Sequence, residues 1–171
     1  MSRGWQRSGC ACTPDKTKIV YCKDDRRKGN YPDTAFTFLG YTFRPRGARR
    51  RDGKGLFTGF QPAVSADALQ KMRTQTRDWR LHLRTGTSLD ELARQINPIV
   101  RGWMTYYGRF YRSAMYRLLA RVNTYLMRWA ARKYRRPRAY KRCKPWWAGV
   151  TERQPGLLAH WDWVRWSDGL R

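Results

Sequence analysis

The residue types that most often do chemistry are sparse in this chain and unevenly placed. Cys10, Cys12, Cys22 and Cys143, with His82 and His160, are the available soft and borderline metal ligands. Zinc knuckles leave two to four residues between paired cysteines. Cys10-Ala11-Cys12 is tighter than that and the two histidines stand alone, so no metal site is expected and the thiols read as inert. Their irregular spacing makes no disulfide framework either, and a cytosol would keep them reduced. Asp24 and Asp25 are adjacent carboxylates, but Lys23, Arg26, Arg27 and Lys28 surround them, and the stretch reads as a turn.

What the chain has in excess is positive charge. Its 37 Lys and Arg stand against 12 Asp and Glu, a formal charge of +25, and a polyanion is the partner that relieves such self-repulsion. Nucleic acid is therefore the leading partner. With 15% aromatic residues, nine of them Trp, the chain is no disordered basic tail. No run approaches the roughly 18 to 20 apolar residues of a bilayer helix, so no membrane partner is expected. The N-terminus lacks the apolar core of a secretory signal, and a cytoplasmic protein is expected. At 171 residues it should form one domain, or a small one with appendages.

The arginines recur in stripes along expected helices. Ser65 is a capping type with Asp67 in the first turn, so "SADALQKMRTQTRDWRLHLR" predicts a helix. At about 100° per residue, Leu69, Met72, Trp79 and Leu83 share one side, and Arg73, Arg77, Arg80 and Arg84 form a stripe beside them. Ser88 and Glu91 make a capping box that opens a second helix. Leu89, Leu92, Ile96, Ile99, Val100, Trp103, Tyr107 and Phe110 crowd into a sector of about 100° on it. Pro98 lies roughly opposite, where water can take the carbonyl it orphans. Gly102 and Gly108 also lie off the sector, near Arg94, Arg101 and Arg109. A helix-interior glycine costs about 1 kcal/mol, which points to close approach of another backbone, protein or nucleic acid. A third helix is expected from Ser113 to about Arg135. Met115, Leu118, Leu119, Val122, Leu126 and Trp129 face inward there, and Arg117, Arg121, Arg128 and Arg132 take another face. A cationic stripe is ordinarily a solvated face with both signs mixed. These have almost no acids, which favours phosphate contact.

Ahead of the helices, "KTKIVYC" (residues 16–22) and "AFTFLGYTFRPR" (35–46) read as strands, with "KDDRRKGNYPD" turning between them as a hairpin or two neighbours. "RPRGARRRDGKG" reads as an exposed basic loop, and "LFTGFQPAV" is compatible with one more short strand. Past Lys133, Pro137 and Pro145 should stop regular helix. "GLLAHWDWVRW" suggests a short strand or an aromatic lid over the bundle. The sum is an α+β chain, with strands first and a three-helix bundle after.

Four stretches carry a family resemblance: "PDKTKIVYCKD" from Pro14, "FTFLGYTFRPR" from Phe36, "INPIVRGWMTYYGRF" from Ile96 and "LMRWAARKY" from Leu126. They resemble the C-terminal part of a bacterial group II intron-encoded reverse transcriptase and maturase. The resemblance implies palm-remnant strands and a basic loop over residues 1–62. It implies the maturase-specific helical thumb, domain X, over 63–142, and a basic, Trp-rich segment over 143–171. It also implies RNA as the partner, either group II intron RNA or a template-primer duplex, clamped to assist splicing. The residues expected to meet RNA are then Arg73, Arg77, Arg80, Arg84, Arg94, Arg101, Arg109, Arg117, Arg121, Arg128 and Arg132, with Gly102 and Tyr106. Phe38-Leu39-Gly40 resembles the primer grip, and Lys16 the lysine that assists pyrophosphate departure. Polymerases of this family hold two Mg²⁺ ions on palm aspartates, one motif reading Tyr-x-Asp-Asp. Tyr21-Cys22-Lys23-Asp24-Asp25 has one residue too many, and it follows the lysine-threonine motif that the catalytic pair should precede. No cofactor and no polymerase activity are expected unless a palm lies upstream or on another chain. No metal-spaced Cys and His follow Trp146, so a C-terminal endonuclease is not expected.

Overall fold

A computed structural model describes residues 19–27, 29–50, 53, 55–134 and 140–164. The class is α+β: a three-stranded antiparallel sheet in the order β1-β2-β3, followed by four helices. The described residues up to Phe36 with Arg44–Phe60 form one compact unit, and Thr37–Phe43 with Gln61 onward form a second.

The stretch expected as one strand folds back on itself. Leu39 and Gly40 both have positive φ, 47° and 78°, the pattern of a two-residue hairpin turn whose twist matches the flanking strands. It separates β1 (Phe36–Phe38) from β2 (Tyr41–Arg49). β2 runs on past the expected strand end at Arg46 through Gly47–Arg49, expected as a loop, because β3 (Leu56–Val64) pairs with it and Arg50 N–H closes the hairpin on the Gly55 carbonyl at 2.9 Å. Pro45 is tolerated because a three-residue β1 can flank only the start of β2.

Residues 19–22, the described part of the other expected strand, form none; 16–18 lie outside the described residues. This segment closes on itself instead. Tyr21 N–H donates to the Asp33 carbonyl at 2.8 Å, its ring lies 4.3 Å from that of Tyr31, and its hydroxyl accepts from Gly29 N–H at 3.2 Å. Asp24 accepts from the Arg26 and Arg27 N–H groups, both at 2.9 Å, and Asp25 exchanges backbone and side-chain bonds with Thr58. The two carboxylates serve a turn and a strand edge.

In the second unit, Ser65 Oγ caps α1 (Ala66–Asp78) by accepting from Ala68 N–H at 3.1 Å. The helix ends earlier than expected, for Arg80 is left-handed (φ 44°) and starts a 3₁₀ turn, Leu81–Leu83. Leu81 is buried as a result, while Leu83 is 60% exposed. The turn is stabilised from α3 (Ser113–Lys133), where Trp129 Nε1 donates to the Arg84 carbonyl at 2.8 Å and Lys133 Nζ to the Thr87 carbonyl at 2.6 Å. Tertiary donors thus satisfy carbonyls that a continuing helix would have paired.

The Ser88–Glu91 capping box opens α2 (Leu89–Tyr107), which runs through an exposed Pro98. Its buried face is Leu89, Leu92, Ala93, Ile96, Val100 and Met104, rotated from the expected sector. Trp103 is half-buried and stacks on Trp79 at 5.7 Å, and Phe110 lies beyond the helix, exposed. The expected inward residues of α3 are all buried. Burial of a Leu, Val or Met side chain stabilises by roughly 1.5–3 kcal/mol, so this face is the centre of the fold.

Past Lys133, Pro145 does not stop the helix as expected, and Pro137 lies outside the described residues. Helix α4 (Tyr140–Arg153) runs through Pro145, because Cys143, Trp147 and Val150 recur at i, i+4 and i+7 and are buried against the core. Pro145 itself is exposed, so solvent can reach the ladder where its N–H is missing. The last described stretch is no strand but a 3₁₀ turn, Ala159–Asp162, with Leu158, Ala159, His160 and Trp161 buried. Two asparagines hold it. Asn97 donates to the Leu157 carbonyl and accepts from Ala159 N–H, both at 2.9 Å. Asn123 Oδ1 lies 2.7 Å from His160 Nε2 and accepts from Trp161 Nε1 at 3.1 Å, while its Nδ2 donates to the Val164 carbonyl at 3.3 Å.

Candidate nucleic-acid interface

The helices display the expected arginines unequally. Arg77, Arg94, Arg101, Arg109, Arg117, Arg121, Arg128 and Arg132 are exposed, and Arg73 is half-buried. The stripe expected along the first helix is broken, since Arg80 and Arg84 lie past its end. Arg84 instead donates to Gln95 Oε1 on α2 at 2.7 Å, and Arg132 reaches the His82 carbonyl at 3.4 Å. With Lys133, which lies 5.4 Å from the Trp129 ring centroid, they gather where α3 ends against the Leu81–Leu83 turn. Arg128 sits 5.7 Å from the Tyr125 ring centroid. No described residue hydrogen-bonds the side chains of Arg73, Arg77, Arg101, Arg117 or Arg121, so they are free to meet phosphates. At the start of α2, hydrogen bonds from the Ser88 backbone and hydroxyl hold the Glu91 carboxyl below its usual range, with Arg94 and Lys133 adding to them. Glu91 is thus committed to its cap.

The primer-grip-like residues meet Tyr106. Its hydroxyl donates to the Leu39 carbonyl at 2.9 Å, and its own carbonyl accepts from the Tyr41 hydroxyl. The rings of Tyr106, Tyr107 and Phe110 surround Tyr41 with centroids 5.3 to 5.6 Å away. Burial foremost, then Tyr106 and Tyr107, raises the Tyr41 phenol above its usual range against the pull of Arg109; it stays a donor. Phe38, Leu39, Tyr106 and Phe110 leave an exposed apolar surface over this cluster. Gly40 fits because a Cβ would come within 2.9 Å of the Tyr107 hydroxyl.

The two helix glycines part company. A Cβ on Gly102 would meet nothing within 4 Å, so that face is open. Gly108 is buried, and a Cβ there would lie 1.9 Å from Trp163 Cη2. It caps α2 and seats an indole, leaving no room for another backbone. Asn97, Asn123, Lys133 and Trp163 are the residues that sequence reasoning passed over. An asparagine in mid-helix, away from any cap, was the signal for the first two.

Among the described residues, no group of three or more His, Cys, Asp or Glu could hold a metal ion, and no helix is long and apolar enough to cross a membrane. Residues 69–147, from α1 into α4, match the family described as group II intron, maturase-specific domain. The chain carries a maturase-specific domain. This is a non-catalytic domain of the reverse transcriptase-like family, and it implies a maturase role in group II intron splicing. Comparison with curated proteins and with solved structures returns no match. The maturase-specific domain thus spans the helices that carry most of the exposed arginines.

Proposed function

We propose that this chain binds structured group II intron RNA by clamping its phosphate backbone, and so helps the RNA hold its splicing-active fold. The observation that carries this is a set of exposed arginines on the matched helices, Arg77, Arg101, Arg117 and Arg121, whose side chains no described residue hydrogen-bonds, in a chain of charge +25. Phosphate contacts position a protein on RNA without reading bases, which suits recognition by shape. Arg77, Arg94, Arg101, Arg109, Arg117 and Arg121 are the main contacts, and Gly102 lets a strand approach α2. Arg84, Arg132 and Lys133 first hold the turn between α1 and α2. If about six phosphates are neutralised, log affinity should fall with log salt at a slope of roughly −4 to −6. Binding of purified protein to structured intron RNA and to a random duplex over a salt series measures this, and a flat response refutes it.

A second reading, a polymerase thumb working with a palm supplied from elsewhere, is favoured by one contact. The Tyr106 hydroxyl on the Leu39 carbonyl links α2 to the primer-grip-like turn. Primer extension by this chain alone with Mg²⁺ and all four nucleotides should give no product, whereas a complementing palm should restore it.

A further inference from the structure

Between α2 and the Ala159–Asp162 turn lies a cavity of about 230 Å³, with Met104 and Leu158 as apolar lining, Trp163 as an aromatic wall, and Arg101, Thr105 and Asp162 as polar groups. It is smaller than the roughly 300–1,000 Å³ of a drug-sized ligand site. Its polar groups are uncommitted. Asp162 is an exposed carboxylate in a chain with 37 cationic side chains, yet it pairs with no described residue, and Arg101 on the same cavity makes no ion pair with it. The hydroxyls of Thr76, Thr124 and Thr151 donate to carbonyls four residues back, at 2.7, 3.1 and 2.9 Å; that of Thr105 has no such bond. Trp163 is held in place, with Arg112 4.7 Å from its ring centroid and Gly108 against its edge.

A flat wall, an unpaired acid and an unpaired guanidinium suit one kind of occupant. Unpaired RNA bases are bound by stacking on aromatic side chains and by hydrogen bonds along their Watson–Crick edges. Guanine alone among the four presents two adjacent N–H donors there, matching the two acceptor oxygens of a carboxylate. We propose that this cavity takes one unpaired guanosine of the bound RNA, its base against Trp163, its Watson–Crick edge on Asp162 and its phosphate on Arg101. The proposal rests on the RNA-binding reading above.

The test is fluorescence anisotropy with short oligouridines carrying one central guanosine, inosine or adenosine. The parent protein should bind the guanosine strand about tenfold more tightly than the adenosine strand, the preference one bidentate contact supplies. Inosine, which lacks the second donor, should fall between. Asp162→Asn should erase the preference while keeping the salt slope; Asp162 is exposed and bonds no described residue, and near-ultraviolet circular dichroism checks the fold. Equal affinity of the parent for guanosine and adenosine strands overturns the pocket, as does a preference that survives Asp162→Asn. Free GMP competing as well as the RNA strand overturns the RNA source. Failure to bind structured intron RNA at all defeats the RNA reading, whereas sequence-blind binding with the salt slope intact defeats only the guanosine site.

Discussion

Replacing His160 with Gln should change how the protein responds to acid. His160 is wholly buried, its Nε2 is 2.7 Å from Asn123 Oδ1, and that oxygen is identified by the Trp161 N–H it also accepts. Nε2 is therefore the protonated nitrogen. Nδ1 is a bare lone pair with no hydrogen-bond partner. Protonation would bury a charge and add a donor with nowhere to point, and burial pushes the pKa down from 6.5 to about 3. A pKa depressed in the folded state means that the unfolded chain takes up the proton first. The stability is whole above about pH 6.5 and is lost as pH falls toward 3, at up to about 1.4 kcal/mol per pH unit. Between pH 6 and pH 4 the loss is about 2.5 kcal/mol. Gln keeps a donor for Asn123 and does not titrate. Urea unfolding followed by Trp fluorescence at several pH values should show the parent losing about that much relative to His160→Gln. Parallel pH profiles for the two proteins would refute the neutral, buried assignment.

The helix glycines should separate cleanly. Gly108→Ala forces a methyl into Trp163 and should cost about 1–3 kcal/mol by thermal or urea unfolding. Gly102→Val adds a side chain to open space, so stability should stay within about 0.5 kcal/mol while intron RNA binding weakens; unchanged binding would remove Gly102 from the interface. Asn97→Ala removes both amide bonds to residues 157–159 and should destabilise by about 1–3 kcal/mol in urea, a loss that a mere surface contact would not produce.

Helix starts and the α3 core were legible because each rests on local pattern: Ser65, the Ser88–Glu91 box, and the inward run from Met115 to Trp129. Errors came where tertiary contact outweighed local preference. Pro145 reads as a stop, yet Cys143, Trp147 and Val150 bury one face of a helix around it. Arg80 gives no sign that it turns left-handed, since what stabilises the turn, Trp129 and Lys133, lies some fifty residues away. Gly108 was placed outside because a continuing helix would point it there, but α2 ends at Tyr107. At the candidate site, the arginine types were visible in sequence. Which of them are free was not, because Arg84 and Arg132 find acceptors only through packing.

The Asn97 and Asn123 contacts also bear on when the fold can be completed during synthesis. They join helices made early to residues about 40 to 60 positions later. A chain emerging from the ribosome can form α2 and α3, but their shared face stays bare until Leu158, His160 and Trp161 arrive to cover it. Exposed apolar surface on a partly made chain invites association with other chains, and contacts of long sequence separation form late. In a protein this basic, mutual repulsion between nascent chains works against such association through that interval.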